Sequence, residues 1–376
     1  MRIGIDCRTI LDIHNGELAG VGHYTYFLIK KLLEQDKENQ YFLFFYNKDI
    51  HVKEFEQSNV QAVYFPLVKY RKFLPFIYNH IIVPCVLGLY HLDIYHNPAN
   101  VIPLFYVKRS VITIHDLAIY RNSKWFPSGQ WFSKNFLVPL SIRKAKKIIA
   151  VSENTRNDLI NIFKIDPEKI KVIYEGVGFY KVLVDEIKPI EKFRNLGRYF
   201  LYVGTLEPRK NLVRSIRAFA EFLKQSEDKD YKFVIAGHKG WKYEEIFTTI
   251  TELNLGDKIQ YVGYVSLEEK IYLIKNAFCF IFASLYEGFG LPILEAMYLG
   301  VPIITSNVSS IPEIIIDNAI LVDPYNIHEI ANGMLKVSSS EILRASLVEK
   351  GKRLSQNYRW QTAAKDTLTL YREMVN

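Results

Sequence analysis

The stretch 284–304, SLYEGFGLPILEAMYLGVPII, decides how the chain folds. It lies between two apolar runs, 278–283 and 301–305, and its own second half is helical in character, so the unit reads strand, loop, helix, strand. Gly288 and Gly290 let the backbone approach a ligand closely, and Pro292 suits the first turn of a helix, where N–H groups lack partners inside the helix. Such a turn attracts anions. Glu287 stands in the loop and Glu295 inside the helix, eight positions on. Taken singly, Glu287 is a charge favoured near a helix N-terminus and Glu295 a helix-face charge. With the glycines and the proline they read as two carboxylates around a phosphate-binding turn, and a carboxylate accepting from vicinal hydroxyls is a common grip on a ribose.

The alternation of short apolar runs with amphipathic stretches extends in both directions. Strands are predicted at 2–6, 40–46, 93–96, 110–115, 147–152 and 171–174, and again at 199–203, 231–236, 258–262, 278–283, 301–305 and 319–322, with helical patterns in most gaps. Runs such as VITI and IIAV imply burial on both faces, hence mostly parallel sheets. Between the two series lies EGVGFYKVLVDEIKPIEKFRNLG, 175–197, which mixes charge, Gly and Pro and marks a boundary. The expected fold is α/β with two Rossmann-like domains: 1–178, then a linker and second domain over 179–357. Ligands in such sheets bind beyond the carboxyl ends of the strands, which places the chemistry in strand-to-helix loops.

A length of 376 residues favours two domains, and 49% hydrophobic with 23% charged residues is the balance of a globular chain, with neither disorder nor membrane spans. MRIGIDCRTI has no secretory signal pattern, so residence in the cytoplasm is expected. Cys7, Cys85 and Cys279 are far apart and form no metal-ligand spacing, which argues against disulfides and structural zinc. The net charge of +8 favours polyanions, acidic lipid headgroups or phosphorylated small molecules. A nucleic-acid binder needs a clustered basic helix or a stacking motif, and neither is convincing here.

The Glu-x7-Glu pattern followed by AMYLGVPII resembles the donor-site signature of glycosyltransferase family 4, retaining enzymes with the GT-B fold. The resemblance extends to GTLEPRKNL (204–212), VIAG (234–237), YVGYV (261–265), GVGHYTYFL (20–28), VITIHDL (111–117) and VSENT (151–155), in the family's order along essentially the whole chain. It implies two domains facing each other across a cleft that closes for catalysis, with the final helix, 358–376, packing back on the first domain. It implies further that Glu295 binds the nucleoside ribose, that Glu287 contacts the donor sugar near its reacting face, and that backbone amides of Gly288, Phe289, Gly290 and Leu291 meet the sugar and diphosphate. Lys210 matches the lysine that neutralises the departing diphosphate, with Arg209 assisting. Many members carry an arginine after the position of Gly204, where this chain has Thr205; Arg209 is the expected substitute. Tyr264 is expected to help form the base pocket, Gly20 and Gly22 to approach diphosphate or acceptor, and His115 to reach the transferred sugar.

The family's retention of configuration is attributed to front-face attack, in which the leaving phosphate helps deprotonate the acceptor hydroxyl. The expected cofactor set is empty. Asp228 and Asp230, the one Asp-x-Asp, precede a strand in the run EDKD and read as a solvated loop, not a metal site. GTLEPRKNL and GVGHYTYFL most resemble bacterial mannosyltransferases that build surface polysaccharide from GDP-mannose; relatives using UDP-sugars or dTDP-rhamnose share nearly the same motifs. Loss of Glu287 or Lys210 is expected to abolish transfer with the fold intact. A binding module without catalysis, or an isomerase or phosphorylase on the same fold, are the rival readings.

The segment 69–90, KYRKFLPFIYNHIIVPCVLGLY, is basic and then aromatic, too interrupted by Pro75 and Pro84 to span a bilayer. It reads either as a helix packed on the first sheet or as one lying on an anionic membrane, with Arg143, Lys144, Lys146 and Lys147 adding to that face. The second reading implies a lipid-linked acceptor and peripheral attachment at the inner face of the cell membrane.

Overall fold

The computed structural model describes residues 1–10, 20–46, 53–178 and 187–375. Part of the boundary segment expected over 175–197 lies outside the described residues. The chain forms two compact units: Met1–Tyr120, Ser128–Gly176 and Arg359–Asn376 make the first, and Arg121–Pro127 with Val177–Tyr358 the second.

The first unit holds seven strands, β1 (Arg2–Asp6), β2 (Gln40–Phe45), β3 (Val60–Tyr64), β4 (Ile94–Asn97), β5 (Ser110–Ile114), β6 (Lys147–Ala150) and β7 (Ile170–Val172), in the order β3-β2-β1-β4-β5-β6-β7. All their pairings are parallel. Strands β1, β2, β4 and β5 are buried almost throughout, as their unbroken apolar sequences demand. Strand β3 is absent from the sequence-based reading. It is an edge strand in which Val63 alone is buried, so VQAVY carries little apolar signal. Helix Val21–Gln35 packs against the C-terminal helix Trp360–Val375, where the Phe27 and Trp360 rings stack at 5.8 Å. His96 contacts Tyr371 Oη at 2.6 Å and Thr113 Oγ1 at 2.9 Å. Burial pushes its pKa down to about 3, so this histidine is a neutral core residue.

The second unit holds β8 (Arg198–Val203), β9 (Tyr231–Ala236), β10 (Ile259–Gly263), β11 (Cys279–Phe282), β12 (Ile303–Ser306) and β13 (Ile320–Val322), again parallel, in the order β10-β9-β8-β11-β12-β13. Phe200, Phe219, Phe222 and Tyr231 cluster beneath helix Leu212–Gln225. In each sheet the chain direction of the strand order reverses beside the first strand, between β1 and β4 and between β8 and β11. That topological switch point is where open α/β sheets take ligands, at the carboxyl ends of the strands.

The 69–90 segment is neither of the single helices considered. It runs as a turn at Val68–Arg71, a short helix at Pro75–Ile77, a wide helical turn at Tyr78–Ile82 and a helix at Val83–Gly88. Pro75 and Pro84 each begin a new piece, because proline suits a first turn and cannot donate inside one. Tyr78, His80, Val83 and Leu87 face inward, whereas Phe73, Leu74, Phe76, Ile77 and Ile81 are exposed. No helix among the described residues is long and apolar enough to cross a membrane.

Candidate active site

The loops after β8 and β11 leave the sheet side by side, because β8 pairs with β11 through Phe200 and Leu201. They are then stitched together. Leu285 N donates to Arg209 O at 2.9 Å, and Asn211 Nδ2 donates to Ala283 O at 2.9 Å and to Pro324 O at 2.7 Å. Arg209 and Lys210 sit in a tight turn, Pro208–Lys210, and the helix opens two residues after Lys210, at Leu212, with Asn211 as its N-cap.

At the centre stands Glu287. Its Oε1 lies 2.6 Å from Lys210 Nζ and its Oε2 3.0 Å from Arg209 Nη1. Arg209 also donates to Tyr286 O at 2.9 Å, and its Nη2 lies 2.8 Å from Glu207 Oε1. Four charged side chains thus form one chain, Glu207, Arg209, Glu287, Lys210, in which the two glutamates are buried and the two cations largely covered. Burial raises the Glu287 pKa, but Lys210 and then Arg209 outweigh it and hold the carboxyl below its ordinary value. Burial pulls Lys210 down, the neighbouring Arg209 adds to that, and Glu287 opposes both without restoring the usual ammonium value. The arrangement presents two cations on a short tether, ready to exchange a carboxylate partner for an anionic ligand.

The Gly288–Leu291 turn leads into helix Leu291–Tyr298, whose N-cap, Gly290, has φ +116°, a conformation L side chains rarely adopt. Ser310 Oγ donates to Glu287 O and Phe289 O, each at 3.0 Å, and Ser309 Oγ accepts from Glu287 N at 2.9 Å, so this turn is braced from beyond β12. Glu295 is buried inside the helix and its Oε1 holds Lys270 Nζ at 2.7 Å. The two glutamates of the Glu-x7-Glu pattern therefore hold different cations.

Gly204 and Gly237 lie at adjacent strand ends. A Cβ at Gly237, where φ is +138°, would stand 1.9 Å from Gly204 O, which explains the glycine of VIAG as a close backbone approach. Leu206 N donates to His238 O at 2.8 Å, and the His238 ring stacks on Tyr264 with centroids 4.2 Å apart. Tyr264 is partly exposed and flanks the Gly204 loop.

His115, Gly20 and Gly22 belong to the first unit. Gly20 caps helix Val21–Gln35 and Gly22 lies in its first turn. His115 follows β5; its Nδ1 is 3.1 Å from Glu175 Oε1 and its Nε2 2.9 Å from Pro98 O. Burial lowers its pKa, but the bond and charge of Glu175 raise it further, and the ring ends above its ordinary value. With an acceptor at each nitrogen, the doubly protonated ring satisfies both. Asp228 accepts from Arg198 at 2.8 Å and from the Asp230 amide at 2.8 Å, as a loop turn does.

The structure brings Arg209, Lys210 and Glu287 into direct contact and sets Gly288–Leu291 and Glu295 on the same loop and helix. Sequence reasoning did not single out Glu207, Lys270, Glu175, Ser309 or Ser310. Glu207 lies within the quoted GTLEPRKNL, and Glu175 opens the segment read as linker; the others carry no local signal.

Two Rossmann-like units of this topology make the GT-B fold. Residues 18–178 match the family described as Glycosyltransferase Family 4, and residues 184–354 the family described as Glycosyl transferases group 1. The chain thus carries both glycosyltransferase domains, one in each half, and is a hexosyltransferase. The O-antigen chain mannosyltransferase B of Escherichia coli is 29% identical over 283 residues, 74% of either chain. The O-antigen chain mannosyltransferase RfbU of Salmonella typhimurium is 29% identical over 225 residues, 60% of this chain and 59% of that one. Among solved structures, sucrose-phosphate synthase from Thermosynechococcus elongatus superposes with a TM-score of 0.77 at 20% identity, covering 99% of this chain and 98% of that one. WaaG, a glycosyltransferase involved in lipopolysaccharide biosynthesis, gives 0.73 at 12% identity, covering 98% and 99%.

Proposed function

We propose that the chain transfers mannose from GDP-mannose, with retention of configuration, to a glycan or lipid-linked acceptor in the synthesis of cell-surface polysaccharide. The observation that carries the reading is the Lys210–Glu287–Arg209 cluster at the β8/β11 switch point, directly before the helix that begins at Leu291. The donor's diphosphate takes the two cations, the turn amides of Gly288–Leu291 add oriented dipoles, and Glu287, released from Lys210, accepts from hydroxyls of the sugar. Glu295 receives the ribose hydroxyls, and Tyr264 flanks the base. As the glycosidic C–O bond to phosphate breaks, negative charge grows on the diphosphate, where Lys210 and Arg209 stabilise it most. The departing phosphate oxygen accepts the proton of the attacking acceptor hydroxyl on the same face. Two fixed cations make a divalent ion unnecessary.

The sugar and base are argued from the likeness to the O-antigen mannosyltransferases. Thermal-shift measurements against GDP-mannose, a UDP-hexose and dTDP-rhamnose test them, since a ligand stabilises the fold in proportion to its binding. GDP-mannose is expected to give the largest shift; a larger one from UDP- or dTDP-sugars would move the assignment to those donors, and no shift from any would favour a protein that binds none. We further propose that the chain works in the cytoplasm, at the inner face of the membrane.

A further inference from the structure

Helix Leu291–Tyr298 carries a single charged side chain, Glu295, set among the buried Ile293, Leu294, Ala296 and Met297. Packing does not ask for it. An apolar side chain of similar size in such a place is often neutral or stabilising, because a buried ion pair barely recovers what desolvation costs. A carboxylate kept inside an otherwise apolar helix, with a cation of its own, points to use beyond the stability of the fold.

That cation is Lys270. Its Nζ lies 2.7 Å from Glu295 Oε1, with the lysine side chain 21% and the glutamate side chain 5% exposed. Among the described residues Lys270 is the one cation paired with Glu295. It stands on helix Leu267–Lys275, which begins three residues after Tyr264 and is anchored firmly. Ser266 Oγ accepts from Glu269 N at 3.2 Å while Glu269 Oε2 accepts from Ser266 N at 2.9 Å, a reciprocal cap. Lys192 pairs with Glu269, Phe193 stacks on Tyr272 with centroids 6.1 Å apart, and Tyr199 Oη donates to Leu273 O at 2.8 Å. Ile271, Leu273 and Ile274 are buried beneath. The lysine stem therefore starts from a fixed point.

We propose that Lys270 is a positioning residue for the nucleoside end of the donor: its ammonium fixes the Glu295 carboxylate in the orientation that accepts from the ribose hydroxyls, and it stays in place when the nucleotide binds. The inference deepens the ribose contact proposed for Glu295 and rests on it. A carboxylate has about four acceptor sites, so one ammonium leaves room for a vicinal diol. Charge gives a second reason. Glu295 lies about 6 Å along the axis from Leu291, where the diphosphate is proposed to sit, and a bare carboxylate so near would repel it. Lys270 cancels that repulsion without competing for the phosphates. Glu287 differs, since its two cations are the ones that the diphosphate takes.

Titration of the full chain with GDP and with 2′,3′-dideoxy-GDP tests the proposal, because the two ligands differ only in the hydroxyls that Glu295 receives. The wild-type chain is expected to bind GDP roughly tenfold to a hundredfold more tightly, as hydrogen bonds to a charged group allow. K270M is expected to bind both ligands about equally, and K270R, which keeps a cation there, to retain most of the preference. K270Q, a milder replacement whose amide still donates to the carboxylate, is expected to lose roughly fivefold of it. A lysine that served only the fold would weaken both ligands by one factor. Undiminished preference in K270M and K270Q, or equal weakening of GDP and its analogue, overturns the role of Lys270 and leaves the ribose contact standing. Equal binding of both ligands by the wild type overturns it too, and with it the ribose contact of Glu295. The same comparison with UDP and 2′,3′-dideoxy-UDP separates the base: a preference seen only there, and lost in K270M, supports the role of Lys270 and moves the base assignment alone.

Discussion

Lys210 Nζ and Glu287 Oε1 stand 2.6 Å apart although 77 residues separate them in sequence, with Glu287 buried and Lys210 largely covered. Removing one partner of such a pair leaves an uncompensated buried charge, which costs about 3–5 kcal/mol. Glu287→Gln and Lys210→Met are therefore expected to abolish transfer and also to lower the melting temperature of the second unit on the order of 10 °C. The double replacement K210M/E287L should recover most of the lost stability, since apolar groups of similar size leave no unpaired charge, and yet remain inactive. Recovery of transfer by the double variant would remove both residues from the reaction. Because Glu287 is held below its ordinary value, the pair's contribution is full above the usual carboxyl range and is lost as pH falls through that lowered value. Acid unfolding of E287Q should accordingly be shallower than that of the wild type.

Gly237→Ala places a methyl 1.9 Å from Gly204 O at φ +138°. The loops after β8 and β9 must separate to admit it, at a cost of about 3 kcal/mol or more. Chemical unfolding is expected to show a lowered midpoint; an unchanged midpoint would mean that the two strand ends do not approach as closely as described.

His115 is held above its ordinary pKa by Glu175, so its stabilisation is complete below about 6.5 and is lost as pH rises through the raised value. Glu175→Gln is expected to bring the imidazole titration, followed by proton NMR, down to a lower pH. It should also flatten the alkaline loss of stability across that window. A titration that does not move would show that the carboxylate 3.1 Å away is not what charges the ring.

Chelation provides a direct test of the charge supplied by Lys210 and Arg209. Transfer is expected to proceed undiminished in excess EDTA. Loss of activity restored by magnesium or manganese would put a divalent ion where these side chains are proposed to act.

Much of the fold was legible because parallel strands buried on both faces leave unbroken apolar runs: β1, β5, β9 and β11 appear in the sequence within a residue or so of where they lie. Strand β3 was not, since an edge strand with one buried residue reads like a loop. At the site, Glu287, Gly290 and Pro292 could be found because one local turn needs all three. Glu207, Lys270 and Glu175 could not, because their partners are set by strand order, and strand order is not written in any short window.

The central claim is most directly tested by a crystal structure of the chain with GDP. The account predicts the diphosphate against the Gly288–Leu291 turn, with Lys210 and Arg209 on its oxygens and the ribose hydroxyls on Glu295. Nucleotide bound elsewhere, with Lys210 still on Glu287 and no ribose contact at Glu295, would contradict it.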